Sequence, residues 1–144
     1  MTLTDLLNKE LTNLYAITKQ INNYLNGSDI SFFDEKNQIQ LGDYLKANCQ
    51  YENHISEKLD KLNINPTNTQ DSIITEIIEN LQQIADSTIQ NNVKSEGYLM
   101  SLNRLMCYQI ANFKNIEYLD QKEQKFQSFN DFKKDLLKLK DKLL

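Results

Sequence analysis

The chain has 144 residues, 40% of them hydrophobic and 25% charged, with one Pro and three Gly. This length suits a single domain over 1–144 that removes about 70% of the extended chain's surface from water on folding, and so few helix breakers favour long helices over many short strands. The net charge is -4 and Arg104 is the only guanidinium, which argues against nucleic acid as a partner, since bidentate phosphate and base contacts rely on Arg.

The first residues, from Met1 to Glu10, carry acid early and lack a basic region followed by a continuous apolar stretch. Neither a signal peptide nor a membrane span is expected. From Leu3 the positions Leu3, Leu7, Glu10, Leu14, Ile17, Ile21 and Tyr24 recur in steps of four and three, with Leu6, Leu11 and Leu25 beside them. That spacing predicts a first helix with one apolar face, ending near Asn26-Gly27.

A second helix is expected from about Asp34, with Leu41, Leu45, Asn48, Glu52, Ile55, Leu59 and Leu62 on its stripe and a stop at Asn63-Ile64-Asn65-Pro66. Thr69 or Asp71 can cap a shorter third helix, whose face is Ile73, Ile74, Ile77, Ile78, Leu81 and Ile84. A fourth runs from about Asn91 to Leu119 over Leu99, Leu102, Leu105, Met106, Ile110, Phe113 and Ile116. The last segment, with Phe129, Phe132, Leu136, Leu139 and Leu143, is helical in spacing and rich in Lys. Its charge suits a solvated face, and binding a surface through it would require the helix to leave its own apolar contacts. Short connections make neighbouring helices antiparallel.

Two stripes are interrupted by carboxylates, Glu10 and Glu52. A Glu facing inward from each of two helices is the usual start of a carboxylate di-metal site, and the other arrangement that fits is an edge position from which the carboxylate reaches water or a Tyr hydroxyl. Di-metal sites also use a Glu-x-x-His pair on each of two further helices, and this chain has one His. His54 lies two residues after Glu52, a rotation of roughly 200° around a helix, so the two cannot converge on one ion. Cys49 and Cys107 have no pair spacing; zinc, a dithiol and a disulfide framework are disfavoured, and a reducing cytoplasm is expected. No glycine-rich phosphate loop or nucleophile with a base at a suitable spacing is present.

The opening Leu3-Thr4-Asp5-Leu6-Leu7-Asn8-Lys9-Glu10-Leu11-Thr12-Asn13-Leu14-Tyr15, followed by Lys19-Gln20, resembles the first helix of the YciE/YciF ferritin-like proteins, and Glu10 falls on that family's glutamate. Leu105-Met106-Cys107-Tyr108-Gln109-Ile110-Ala111 is similar to the family's Val-Glu-His-Tyr-Glu-Ile-Ala. Met106, Cys107 and Gln109 thus stand where the family has glutamate, histidine and glutamate.

The resemblance implies an all-α, ferritin-like antiparallel four-helix bundle with an additional short helix, a homodimer, and a loosely defined stress association. The function expected is that of a non-enzymatic bundle with a degenerate di-metal site, acting as a homo-oligomeric or partner-binding module without a cofactor. The residual-site candidates are Glu10, Glu52, His54, Met106 and Gln109, with Gln109 and Met106 facing Glu10 and the Gln109 amide donating to it. The alternative is a reduced metal-binding or redox bundle that uses Glu10, Glu52, His54 and Gln109 for iron or manganese, with Cys107 as a soft ligand or redox thiol. Phe32, Phe33, Phe126 and Phe129 near helix starts are the residues from which a dimer contact is expected.

Overall fold

The computed structural model describes residues 1–66, 68–123 and 129–144, and they form five helices: α1 (Leu3–Leu25), α2 (Glu35–Lys61), α3 (Ser72–Asp86), α4 (Asn91–Glu123) and α5 (Phe129–Asp141). Side-chain chemistry at the ends sets their limits. Thr2 and Asp5 make a reciprocal capping box, with Thr2 Oγ1 accepting from the Asp5 N–H at 3.1 Å and Asp5 Oδ2 accepting from the Thr2 N–H at 2.9 Å. Asp34 caps α2 by accepting from the Asn37 N–H at 2.8 Å.

α2 ends before Pro66 is reached. Asn63 takes the left-handed conformation (φ 56°), its N–H bonds the Asp60 carbonyl at 3.1 Å, and the Ile64 N–H reaches back to the Leu59 carbonyl at 3.0 Å. This pairing closes the orphan carbonyls of a helix end around an Asn able to adopt positive φ.

α1 and α4 pack together, and α3 covers the groove between them on one side. On the other side α2 lies against α1, α5 lies against α4, and α2 and α5 touch. Paired contacts give the directions. Tyr24 meets Tyr98 and Leu6 approaches Leu119, so α1 and α4 are antiparallel. Asn80 meets Ser101 and Ala85 meets Lys94, so α3 and α4 are antiparallel. His54 meets Phe129 and Gln40 meets Lys142, so α2 and α5 are antiparallel.

The core is continuous through all five helices. α1 contributes Leu7, Leu11, Leu14, Ile21 and Leu25, all buried, and each such Leu or Ile contributes about 1.5–3 kcal/mol by leaving water. α4 is buried on a wide arc because it meets α1, α3 and α5. α5 is held by buried Leu136 and Leu143 and by an ion pair between Lys133 and Glu117 of α4. Among the described residues no helix is long and apolar enough to cross a membrane.

The phenylalanines expected at a dimer contact are used inside the chain. Phe33 and Phe129 are buried, and half-buried Phe32 packs on Phe33 and Tyr98 with ring centroids 4.7 and 5.2 Å away. Phe126 lies outside the described residues.

Candidate functional site

The interior of the bundle contains a polar cluster made of neutral groups. Gln109 on α4 is fully buried and is held at both ends of its amide: Tyr44 on α2 donates its hydroxyl to Gln109 Oε1 at 2.6 Å, and Gln109 Nε2 donates to Asn48 Oδ1, one turn further along α2, at 2.6 Å. Asn22 on α1 donates through Nδ2 to the Asn48 backbone carbonyl at 3.2 Å. Thr18, also buried, is satisfied within α1 by the Leu14 carbonyl at 2.8 Å. Tyr51 follows on the same face of α2, its ring against Phe113 and Phe132. Among the described residues, Tyr51 Oη, Asn48 Nδ2 and Asn22 Oδ1 are buried without a hydrogen-bond partner.

A second polar node lies at the start of α3. Asp71 is only 6% exposed. Its Oδ1 accepts from the Ile74 N–H at 2.8 Å, capping α3, while Oδ2 accepts from Asn13 Nδ2 on α1 at 2.9 Å and from the Tyr108 hydroxyl on α4 at 2.7 Å. Gln20 of α1 adds to the tie, accepting from the Asp71 N–H at 2.8 Å and donating to Thr75 Oγ1 at 2.9 Å. One buried carboxylate is thus stabilised by three donors from three helices, the condition under which burying such a group is tolerable.

The residues singled out from sequence are not gathered at one point. Gln109 bonds Tyr44 and Asn48, not Glu10 as expected. Glu10 is half-buried on the flank of α1, where it borders a groove with Leu6, Asn115, Tyr118 and Leu119 and another with Lys9, Thr12, Asn13, Thr69 and Gln70. Leu11 takes the inward position. On α2 an offset of one residue in the other direction puts Tyr51 inside and leaves Glu52 half-buried at the edge.

His54 packs edge-on against Phe129 and Phe132, with centroids 5.8 and 4.9 Å away. Partial burial, followed by the field of Lys58, lowers its pKa below the usual 6.5. Met106 is a buried apolar core residue, and Cys107, the next residue, is exposed on the outside of α4. Among the described residues no three His, Cys, Asp or Glu side chains lie close enough to hold a metal ion. The donors that do converge in the interior are amides and phenols, which lack the anionic charge a divalent iron or manganese site requires.

Sequence reasoning missed Tyr44, Asn22 and the interhelical role of Asp71. Asn48 on the α2 stripe was the visible signal, since a buried amide needs partners and Tyr44 lies four residues before it on the same face.

The interior phenols all hold their protons more tightly than a free tyrosine. Burial, then its neighbour Tyr51, raises Tyr44 well above 10.0. Tyr51 and Tyr98 are likewise raised, chiefly by burial. Tyr108 is pushed up to about 12 by burial and then by its bond to Asp71. A raised folded pKa stabilises the fold fully below the unfolded value of about 10 and loses that contribution as pH climbs through the folded value. Unfolding free energy from denaturant titration should therefore be insensitive to these phenols from pH 7 to 9 and fall above pH 10. Phenolate absorbance that reached its full amplitude while the helical circular-dichroism signal stayed intact would refute the assignment.

No protein-family model and no curated protein matches the amino-acid sequence. Solved structures do match. The E. coli stress protein YciF superposes with a TM-score of 0.75 at 16% identity, over 99% of this chain and 88% of that one. YcfI from Rhodopseudomonas palustris superposes with a TM-score of 0.81 at 16% identity, over 99% of this chain and 90% of that one. The chain has the YciF-type helical-bundle fold. The superposition spans all five helices, so the YciF-type frame is what brings α1, α2 and α4 around the Gln109 cluster.

Proposed function

We propose that this YciF-type bundle is a non-enzymatic member of the YciE/YciF-like group, with a degenerate di-metal site, and that it acts as a stress-associated module that self-associates or binds a partner. The observation that carries this reading is Gln109 held between Tyr44 and Asn48 at 2.6 Å on each side. Both ends of its amide are occupied by protein groups. A carboxylate at this position would find a phenol donor and an amide, with neither histidine nor a second carboxylate to share an ion. The superposition on a protein called a stress protein, and on another described as a candidate structural protein, is in keeping with this role. Exposed Cys49 and Cys107 suit a reducing cytoplasm.

Elemental analysis of protein purified without chelator, followed by thermal unfolding with Fe²⁺ or Mn²⁺, tests the reading. Iron and manganese are expected below stoichiometry, and the melting temperature is expected not to move. A metal that binds the native state alone adds about 2.7 kcal/mol when present at about a hundred times its Kd, a shift that is easily seen. Stoichiometric metal, a raised melting temperature, or an oxygen-dependent absorbance change with iron would instead support the metal-binding alternative based on Glu10, Glu52, His54 and Gln109.

A further inference from the structure

Glu10 is a carboxylate that the fold leaves unmatched. It is half-buried between two clefts that share no other lining residue, and among the described residues it has neither a hydrogen-bond donor nor an ion-pair partner. On one side a cleft of about 240 Å³ is walled by Leu6, Leu119 and Tyr118, with the Asn115 amide beside them. The Tyr118 ring is 60% exposed, and every residue that α4 contributes to this cleft is neutral. On the other side the hydroxyls and amides of Thr12, Asn13, Thr69 and Gln70 line a cleft of about 520 Å³. The surrounding field favours a cation. Asn13 bonds the Asp71 carboxylate, and the Tyr108 phenol is acted on by both Asp71 and Glu10, so two negative charges add here. Lys9, the one cation lining either cleft among the described residues, is exposed. Lys122 is engaged over the Tyr118 ring, 5.0 Å from its centroid. Neither pairs with Glu10.

We infer that Glu10 anchors a binding site for a small aliphatic amine, its ammonium against the carboxylate and its chain along Leu6, Leu119 and Tyr118. The inference goes beyond the module reading above and does not depend on it. Magnitudes decide what the ligand must carry. An exposed ion pair contributes little by itself, which excludes a bare ammonium ion as a good ligand. Each methylene withdrawn from water strengthens binding by about a factor of four, but a short chain in an open cleft is only partly withdrawn. Head and chain must therefore act together. The apolar cleft is smaller than the roughly 300–1,000 Å³ of sites for drug-sized ligands, so the chain is a short one. The face of the Tyr118 ring adds a surface to which an ammonium group is attracted.

Titration of the isotope-labelled full chain with hexylamine, in low salt with EDTA and read from amide NMR shifts, tests the assignment. Saturable shifts are expected over residues 6–13 and 115–119, weakening as salt is added. Hexanol lacks the charge, hexanoate reverses it and propylamine shortens the chain, and each should bind at least tenfold more weakly. Glu10→Gln keeps the size of the side chain and removes its charge. It should weaken hexylamine at least tenfold and leave hexanol unchanged, while Tyr118→Ala should weaken hexylamine severalfold. Both positions reach solvent, and unchanged circular dichroism would confirm that the variants fold. The series of ligands on the unaltered chain is decisive without them. Absence of a saturable shift, shifts centred elsewhere, hexanol or hexanoate binding as tightly as hexylamine, or hexylamine binding unchanged by Glu10→Gln would overturn the inference. With EDTA present no metal takes part, so failure of this site is distinguishable from failure of the neutral-core reading.

Discussion

Gln109→Leu is expected to lower the unfolding free energy by about 2–4 kcal/mol, because it strands two buried groups at once. Leu matches the space and adds apolar burial, yet the Tyr44 hydroxyl loses its acceptor and Asn48 Oδ1 loses its donor. A buried polar group left unpaired costs about 1–3 kcal/mol, more than a typical hydrogen bond contributes net. The partners identify themselves through coupling. Tyr44→Phe added to Gln109→Leu should recover much of the Tyr44 share, since the stranded hydroxyl is then gone. Glu10→Leu added to Gln109→Leu should be additive to within about 0.5 kcal/mol, as for sites with no shared partner. Urea unfolding of the two double-mutant cycles gives both numbers. Coupling to Glu10, or a loss for Gln109→Leu below about 0.5 kcal/mol, would sink the account of the cluster.

The second large effect is expected at Asp71. Asp71→Ala removes the cap of α3, worth about 1 kcal/mol, and the acceptor shared by Asn13 and Tyr108, so a total loss of about 3 kcal/mol is expected after allowing for the relief of a desolvated carboxylate. Asp71→Ser separates the two parts. Its hydroxyl can still accept from the Ile74 N–H but is too short to serve α1 and α4 as well. It should therefore retain the capping share and lose the interhelical share, and in both variants the Tyr108 phenol should titrate closer to pH 10. Equal stability of Asp71→Ser and wild type would show that the crossings to Asn13 and Tyr108 contribute nothing.

How much of this was readable beforehand depended on whether the information was local. Helix limits were, since α2 starts directly after Asp34, Asp71 is the one of the two expected residues that caps α3, and Gly27 takes φ +81° just past the end of α1. Asn63, not Pro66, stops α2, because the positive-φ closure acts one turn earlier than the steric block. The axis of each buried face was less legible. On α1, Leu3, Leu6, Leu7, Leu11 and Leu14 make a stripe so broad that its centre can be drawn through Glu10 or through Leu11, and only contact with α2 and α4 decides. On α2, Tyr51 and Glu52 presented the same choice, and the aromatic surface of Phe113 and Phe132 settles it. The partners of Gln109 lie 61 and 65 residues away in sequence; periodicity says that Gln109 faces inward and is silent about what it meets. The resemblance in α1 and α4 led to the right fold, but it placed Gln109 against Glu10 where the structure places it against α2.

That diagonal span has a consequence for alignment rather than for strength. α2 and α4 do not pack backbone to backbone, and it is the Gln109 amide, together with aromatic contacts such as Tyr51 on Phe113, that joins them. Apolar stripes repeat every turn, so sliding α4 by about 5.4 Å along its neighbours would leave Leu, Ile and Phe still facing Leu, Ile and Phe. Gln109 could not follow such a slide, since Tyr44 and Asn48 fit its two ends at only one height. A single buried amide thus marks the register in which an otherwise forgiving set of stripes is allowed to close, much as an Asn at one core position selects a single alignment in a coiled coil.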